Sequence, residues 1–149
     1  MTLSEAVIDR LKERVPALAG RVEGALDFAQ LLASGQLPAT TPAANVMPFG
    51  LQGGRADASA GAFRQEYTDN VAVLLTLRTA GGGAGGQIDR ARDMLGELVI
   101  AVLRAIAGWA PGEEIGVLRL TRGALITARR GVLVYQIDFA IDDQLRIIG

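Results

Sequence analysis

Apolar residues near the N-terminus recur with the spacing of one helix face. They are Leu3, Val7, Ile8, Leu11 and Val15, and residues three or four apart lie on the same side of an α-helix. Thr2 followed three residues later by Glu5 is the signature of a capping box. Pro16 cannot continue a helix. The pattern therefore predicts a first helix that ends at Val15.

Residues 87–107 carry the longest helical pattern of the chain, with one wide apolar stripe. This stripe consists of Ile88, Ala91, Leu95, Leu98, Val99, Val102, Leu103 and Ile106. The segment Gly108-Trp109-Ala110-Pro111 ends the pattern. Trp109 suits either packing between helix and sheet or an interface. A shorter helix is predicted to begin at Asp27 and to end at Gly35.

The other apolar segments have the period of strands. The expected strands are 19–25, 44–49, 63–78, 115–121, 124–128 and 132–141. We interpret 63–78 as one long strand whose polar first half projects past the core, rather than two strands with a turn at Asp69-Asn70. Polar, glycine-rich residues 50–61 predict a loop, and Arg122-Gly123 and Arg130-Gly131 predict turns.

In the last strand one face is expected to be buried. Its residues are Leu133, Tyr135, Ile137, Phe139 and Ile141. The order of elements predicts an α+β fold, with a mainly antiparallel sheet of about four to six strands and two or three helices packed on it. We expect residues 1–149 to form a single domain.

The composition argues against most enzyme classes. Half of the 149 residues are hydrophobic, the net charge is −1, and the chain has no Cys and no His. These absences remove a thiolate nucleophile, the commonest general base and the commonest transition-metal ligands. We therefore expect no catalytic activity, no cofactor and no metal. The N-terminus lacks the pattern of a secretory signal and no segment predicts a membrane span, so we expect a soluble protein made in the cytoplasm.

Three features of the sequence are candidate sites. The spacing Gly81-x-Gly83-x-x-Gly86 fits a dinucleotide-binding pattern, but no acidic residue follows the next strand as that pattern requires. The carboxylate pairs Glu113-Glu114 and Asp142-Asp143 are interpreted as solvated loop charges. Arg129-Arg130 is interpreted as an exposed turn that could contact phosphate or an acidic partner surface.

The order of these elements resembles the phage tail terminator family, the tail-completion proteins of siphophages and myophages, with relatives in Mu-like phages and gene transfer agents. The resemblance covers nearly the whole chain. The segments that carry it are Val15-Pro16, 22–27, 42–48, Gln65, Val71-Ala72-Val73, Gly108-Trp109-Ala110-Pro111 and 135–139. The glycine-rich segment 81–86 departs from the more polar residues expected there.

The resemblance implies a tail-terminator-like fold and a mechanical role in the virion. Such a protein forms a hexameric ring at the head-proximal end of the tail, stops polymerisation of the tail tube and provides the surface for head-tail joining. Its expected partners are other copies of itself, the major tail tube protein and a head-tail connector or stopper protein. DNA would pass through the ring without sequence-specific binding.

Residues predicted to contact other subunits or the tube come mainly from the polar extension. They are Arg55, Phe63, Arg64, Gln65, Glu66, Tyr67, Arg129 and Arg130. Two alternatives stay open. One is another phage neck component, such as a connector or stopper. The other is a small ligand-binding α+β domain that uses the loop Gly81 to Gly86.

Overall fold

The computed structural model describes residues 1–25, 33, 37–79, 85–129 and 131–149. Its helices are α1 (Leu3–Arg14), a short 3-10 helix (Pro16–Leu18) and α2 (Gly85–Ile106). Its strands are β1 (Val22–Gly24), β2 (Ala43–Ser59), β3 (Ala62–Arg78), β4 (Arg119–Arg129) and β5 (Val132–Ile148). This is the α+β fold that the sequence predicts.

Within the described residues the strands form one sheet in the order β1-β2-β3-β5-β4. β1 pairs in parallel with β2, and the other three pairings are antiparallel. β3 and β5 pair along their whole length, from Ala62 opposite Ile148 to Arg78 opposite Val132. The three longest strands therefore lie side by side in the middle of the sheet.

The first helix begins as predicted. The Thr2 hydroxyl accepts a hydrogen bond from the Glu5 amide at 3.2 Å, and the Glu5 carboxylate accepts one from the Thr2 amide at 3.0 Å. Val7 and Leu11 on the apolar stripe are buried, and Val15 closes the helix with its amide bonded to the Leu11 carbonyl.

The main hydrophobic core lies between the helices and one face of the sheet. Leu11, Val102 and Ile106 from the helices pack in the same cluster as Val73 and Phe139 from the sheet. In β5, Leu133, Ile137, Phe139 and Ile141 are buried, and Tyr135 is half-buried against the same cluster. The predicted buried face of the last strand is therefore confirmed.

A smaller apolar cluster lies on the opposite face of the sheet. Met47, Ala72, Leu74 and Val134 are buried there. Because residues alternate between the two faces of a strand, the middle of β3 is buried on both sides. This explains the continuous apolar sequence from Val71 to Leu75.

The predicted loop 50–61 is wrong for most of its length. β2 continues through Pro48 to Ser59 and pairs with β3 as far as Ser59 opposite Ala62. The register shifts twice, between Pro48 and Leu51 and between Gly53 and Ala56. Such irregularities accommodate Pro and Gly in a strand at the edge of a sheet. Only Ala60-Gly61 form the turn.

The predicted strands 115–121 and 124–128 are parts of one strand, β4, which begins at Arg119. The predicted turn at Arg122-Gly123 is wrong, because β4 runs through these residues. A Cβ atom on Gly123 would lie 2.9 Å from the Tyr135 hydroxyl oxygen. Glycine is therefore needed here for a close approach between strands, and it does not mark a turn.

The other predictions divide into three groups. β3 is one long strand without a turn at Asp69-Asn70, and α2 matches the predicted helix within two residues at its start and one at its end. β5 extends seven residues beyond the predicted end at Ile141. The predicted helix from Asp27 and most of the glycine segment 81–86 lie outside the described residues.

Candidate assembly surface

The outer halves of three strands form an extension beyond the core, which we call the arm. It consists of residues 49–59 of β2, 62–69 of β3 and 142–148 of β5. At its tip the two-residue turn Ala60-Gly61 joins β2 to β3, with φ of 51° and 81°. Positive φ at both central residues matches the twist of an antiparallel hairpin.

Both lateral edges of the arm lack a neighbouring strand within the described residues. β1 pairs with β2 only at residues 44–46, and β4 pairs with β5 only at residues 132–140. Beyond these points no described strand pairs with the outer edges of β2 and β5. The Asp142 carbonyl accepts a bond from the Gly116 amide at 3.1 Å, and the Gly50 and Gly54 carbonyls accept bonds from the side chains of Asn70 and Gln65. Unpaired edges of this kind are templates for pairing with another chain.

One face of the arm exposes apolar side chains near the tip. Phe63 lies directly opposite Ile147, and Gln65 lies opposite Leu145. Ile147 is 51% exposed and Leu145 is 42% exposed, while Phe63 is half-buried. Clustered exposed apolar groups of this kind mark contact surfaces in soluble proteins.

The opposite face of the arm is charged. Arg64 and Arg146 occupy directly opposite positions on β3 and β5, and like charges so placed repel each other. Asp57 lies opposite Arg64 on β2, and Glu66 lies opposite Gln144. Arg146 donates from Nε to the Gln144 Oε1 atom at 2.6 Å, so its charge is not paired with a carboxylate there.

A groove of about 470 Å³ lies at the base of the arm. We call it the acidic groove; its lining residues are Gln52, Gly53, Gly54, Glu66, Tyr67, Thr68, Ile115, Asp142 and Asp143. The Tyr67 hydroxyl donates to Asp143 Oδ2 at 3.0 Å, and the Thr68 hydroxyl donates to Asp142 Oδ1 at 2.9 Å. Arg119 forms an ion pair with Asp142 at 3.0 Å.

Two ionisable groups beside this groove, Asp69 and Tyr67, have a raised pKa. Desolvation is the main cause that raises the pKa of Asp69, and the charges of Asp143 and Glu114 raise it further, while a hydrogen bond from the Asn70 amide lowers it. Desolvation and the hydrogen bond to Asp143 raise the pKa of Tyr67. One carboxylate oxygen of Glu114 is buried and has no hydrogen-bond partner.

Six of the eight residues that the sequence predicted for contacts lie on the arm. Arg55, Arg64 and Glu66 are exposed, and Phe63, Gln65 and Tyr67 are half-buried. Arg129 is the last residue of β4, opposite Val132, at the end of the sheet away from the arm tip. Arg130 lies outside the described residues. The predicted set therefore does not form one continuous patch.

Sequence reasoning missed the contribution of β5 to the arm. Asp142 and Asp143 were interpreted as loop charges, but both lie in β5 and accept hydrogen bonds from β3. The alternation of Ile141, Leu145 and Ile147 with polar residues continues past the predicted end of the strand. This alternation was the signal in the sequence that could have predicted the longer strand.

The described part of the chain shows no group of three or more acidic residues arranged to hold a metal ion. None of its helices combines the length and apolar character needed to cross a bilayer. Trp109 packs against the main core, and the guanidinium of Arg10 lies 4.8 Å from its ring centre.

Comparison with known proteins gives one finding. The family model described as "Phage tail terminator protein" matches residues 2–149. This confirms the resemblance over essentially the whole chain. No curated protein matches the sequence.

Proposed function

Because this chain belongs to the phage tail terminator family, a family of structural proteins of the phage tail, we propose that it forms a hexameric ring that caps the tail tube. In the ring each copy contacts the next through two different surfaces, and rotation closes the assembly. The ring ends polymerisation of the tube and provides the surface that joins the tail to the head. The proposal takes residues 1–149 as one tail-terminator-like domain.

The observation that carries this proposal is the arm. It combines two strand edges that have no neighbouring strand among the described residues with exposed Leu145 and Ile147. A strand edge and an apolar patch that remain free in the monomer become buried when a neighbouring copy or a tube subunit covers them. The partners are therefore other copies of the chain, the major tail tube protein and, on the head side, a connector or stopper protein.

The proposed interface residues on the arm are Arg55, Phe63, Arg64, Gln65, Glu66 and Tyr67. Arg129, at the opposite end of the sheet, belongs to a second contact surface, and Arg130 follows it in sequence. The ring lies at the head-proximal end of the tail in the virion, after assembly in the host cytoplasm. DNA passes through its centre without sequence-specific contacts.

The first experiment is native mass spectrometry of the purified protein over a concentration series, with negative-stain images of the largest species. We expect a hexamer with a central hole, either alone or when assembled tail tubes are added. A protein that stays monomeric and also fails to bind tail tubes contradicts the proposal.

The second experiment tests the arm directly with Ile147→Asp. Ile147 is 51% exposed, so the variant should fold and lose only intermolecular contacts. Its control is Met94→Asp on α2, because Met94 is 49% exposed. We expect Ile147→Asp, but not the control, to abolish rings and to yield tail tubes of uncontrolled length in infected cells. Normal rings and normal tube lengths with Ile147→Asp would exclude the arm as the contact surface.

A further inference from the structure

Three arginines surround a shallow groove between the C-terminal halves of α1 and α2. Its lining residues are Arg10, Arg14, Ala101, Arg104 and Ala105, and its volume is about 330 Å³. We call it the arginine groove. It lies on the helices, and it shares no lining residue with the acidic groove of the arm.

One of these arginines is held in place by the fold. Arg10 donates from Nε to the Ala105 carbonyl at 2.9 Å, and its guanidinium stacks on Trp109. These contacts fix the plane of the guanidinium and leave its two terminal nitrogens for another acceptor. A guanidinium fixed in this way loses little side-chain entropy when it binds a carboxylate.

The positive charge of the arginine groove is largely uncompensated. Among the described residues the only carboxylate within 4 Å of these arginines is Glu13, at 3.7 Å from Arg14 Nε. Arg14 and Arg104 are exposed, and Arg104 lies in the last turn of α2. Three arginines that line one depression favour an anionic partner there.

The acidic groove has an excess of negative charge. Glu66, Asp142 and Asp143 line it, and the only ion pair to them within the described residues is that of Arg119 with Asp142.

We propose that the arginine groove of one protomer binds the acidic groove on the arm of the next protomer. This inference rests on the proposed ring, and it names the two different surfaces that a head-to-tail ring requires. The second copy is favoured over DNA as the occupant because the same chain carries a complementary acidic groove. Complementary charge also selects the correct neighbour and orientation.

The test uses two reversals of charge at exposed positions. Arg104→Glu places an acid in the arginine groove, and Glu66→Arg places a base in the acidic groove. Each variant alone should raise the protein concentration needed for half-assembly by about tenfold, because like charges then face each other. Raising the salt concentration should weaken the wild-type ring in the same direction.

Mixing the two variants gives the decisive measurement. In an equimolar mixture the two variants can alternate around the ring. At every second interface the altered arginine groove of one variant then meets the altered acidic groove of the other, so that Glu faces Arg. The interfaces between them contain only native residues. We expect the mixture, and the double variant in one chain, to form rings at nearly the wild-type concentration. The controls are Arg92→Glu and Glu97→Arg on the exposed side of α2, which change the net charge equally and should assemble normally.

The outcomes separate this inference from the proposed function. If the wild-type chain forms rings and the single variants assemble equally well, the inference is overturned. It is also overturned if the mixture of variants fails to assemble. In both cases the proposed ring still stands. A wild-type chain that forms no ring overturns both. If Arg104→Glu keeps the ring but loses binding to a DNA duplex, the arginine groove binds phosphate and the inference is overturned.

Discussion

The place that a Cβ atom would take on Gly123 lies 2.9 Å from the hydroxyl oxygen of Tyr135. Gly123 belongs to β4 and Tyr135 to β5, which is its neighbour in the sheet. The Tyr135 ring carbons Cε1 and Cζ lie at 3.3 Å and 3.5 Å from the same point. The side chain of Tyr135 therefore crosses β4 at a position that only glycine leaves open.

Gly123→Ala is expected to destabilise the protein by about 1 kcal/mol, because the methyl group displaces the half-buried Tyr135 ring. Urea unfolding at neutral pH measures this change. The same substitution in a Tyr135→Phe background should cost less, since the atom at 2.9 Å is then absent. Equal costs in both backgrounds would show that Tyr135 is not the obstacle.

The sequence predicted those elements whose signals are local. The capping box at Thr2 and Glu5 and the stripe of α2 depend on residues within a few turns of each other. The edge positions of β2 were not predictable in this way. Gly53 and Gly54 read as loop residues, yet a Cβ at Gly53 would lie 3.0 Å from Gln65 Nε2 and one at Gly54 would lie 3.1 Å from the Glu66 carbonyl oxygen.

The candidate surface was predictable to the same extent. The polar first half of β3 indicated a projection from the core, and this placed Arg64 and Glu66 correctly on the arm. The share of β5 in that surface depends on pairing between residues about 80 positions apart, such as Phe63 and Ile147. A pairing so distant in sequence leaves no local pattern beyond the alternation of β5 itself.

Gly54→Ala should loosen the arm without unfolding the core. The new methyl group would meet the backbone oxygen of Glu66 at 3.1 Å, and a backbone atom cannot move away as easily as the end of a side chain. We expect faster amide hydrogen exchange in residues 62–69 and unchanged exchange in α2. Gly96→Ala is the control, because no atom lies within 4 Å of its Cβ position. It should stabilise α2 by about 0.5–1 kcal/mol; unchanged exchange in 62–69 with Gly54→Ala would contradict the prediction.

Arg10→Lys is expected to destabilise the protein by about 1 kcal/mol although it keeps the charge. Lysine cannot reproduce both the bond from Nε to the Ala105 carbonyl and the planar stacking on Trp109. Thermal unfolding followed by Trp109 fluorescence reports both the stability and the local environment. Arg92→Lys, at an exposed position of the same chain, should change stability by less than about 0.5 kcal/mol. A loss of similar size in both variants would mean that the contacts of Arg10 contribute nothing specific.

Asp69→Asn should stabilise the isolated protein at neutral pH. The pKa of Asp69 is raised above its ordinary value of 3.8, mainly by desolvation and further by Asp143 and Glu114. A carboxyl with a raised folded-state pKa binds more protons in the folded protein than in the unfolded chain. Stability therefore falls as the pH rises from the unfolded-state value through the folded-state value. The asparagine variant does not lose this stability, because its side chain does not ionise.

The measurement is urea unfolding of both proteins between about pH 3 and pH 7. The stability difference should be largest at neutral pH, in favour of Asp69→Asn. It should shrink as the pH falls below the unfolded-state pKa, because the wild-type carboxyl is then mostly protonated in both states. Asp93→Asn on the exposed side of α2 is the control, with an expected effect below about 0.5 kcal/mol at neutral pH. A wild-type protein more stable than Asp69→Asn at neutral pH would mean that the surroundings stabilise the Asp69 carboxylate, which contradicts a raised pKa.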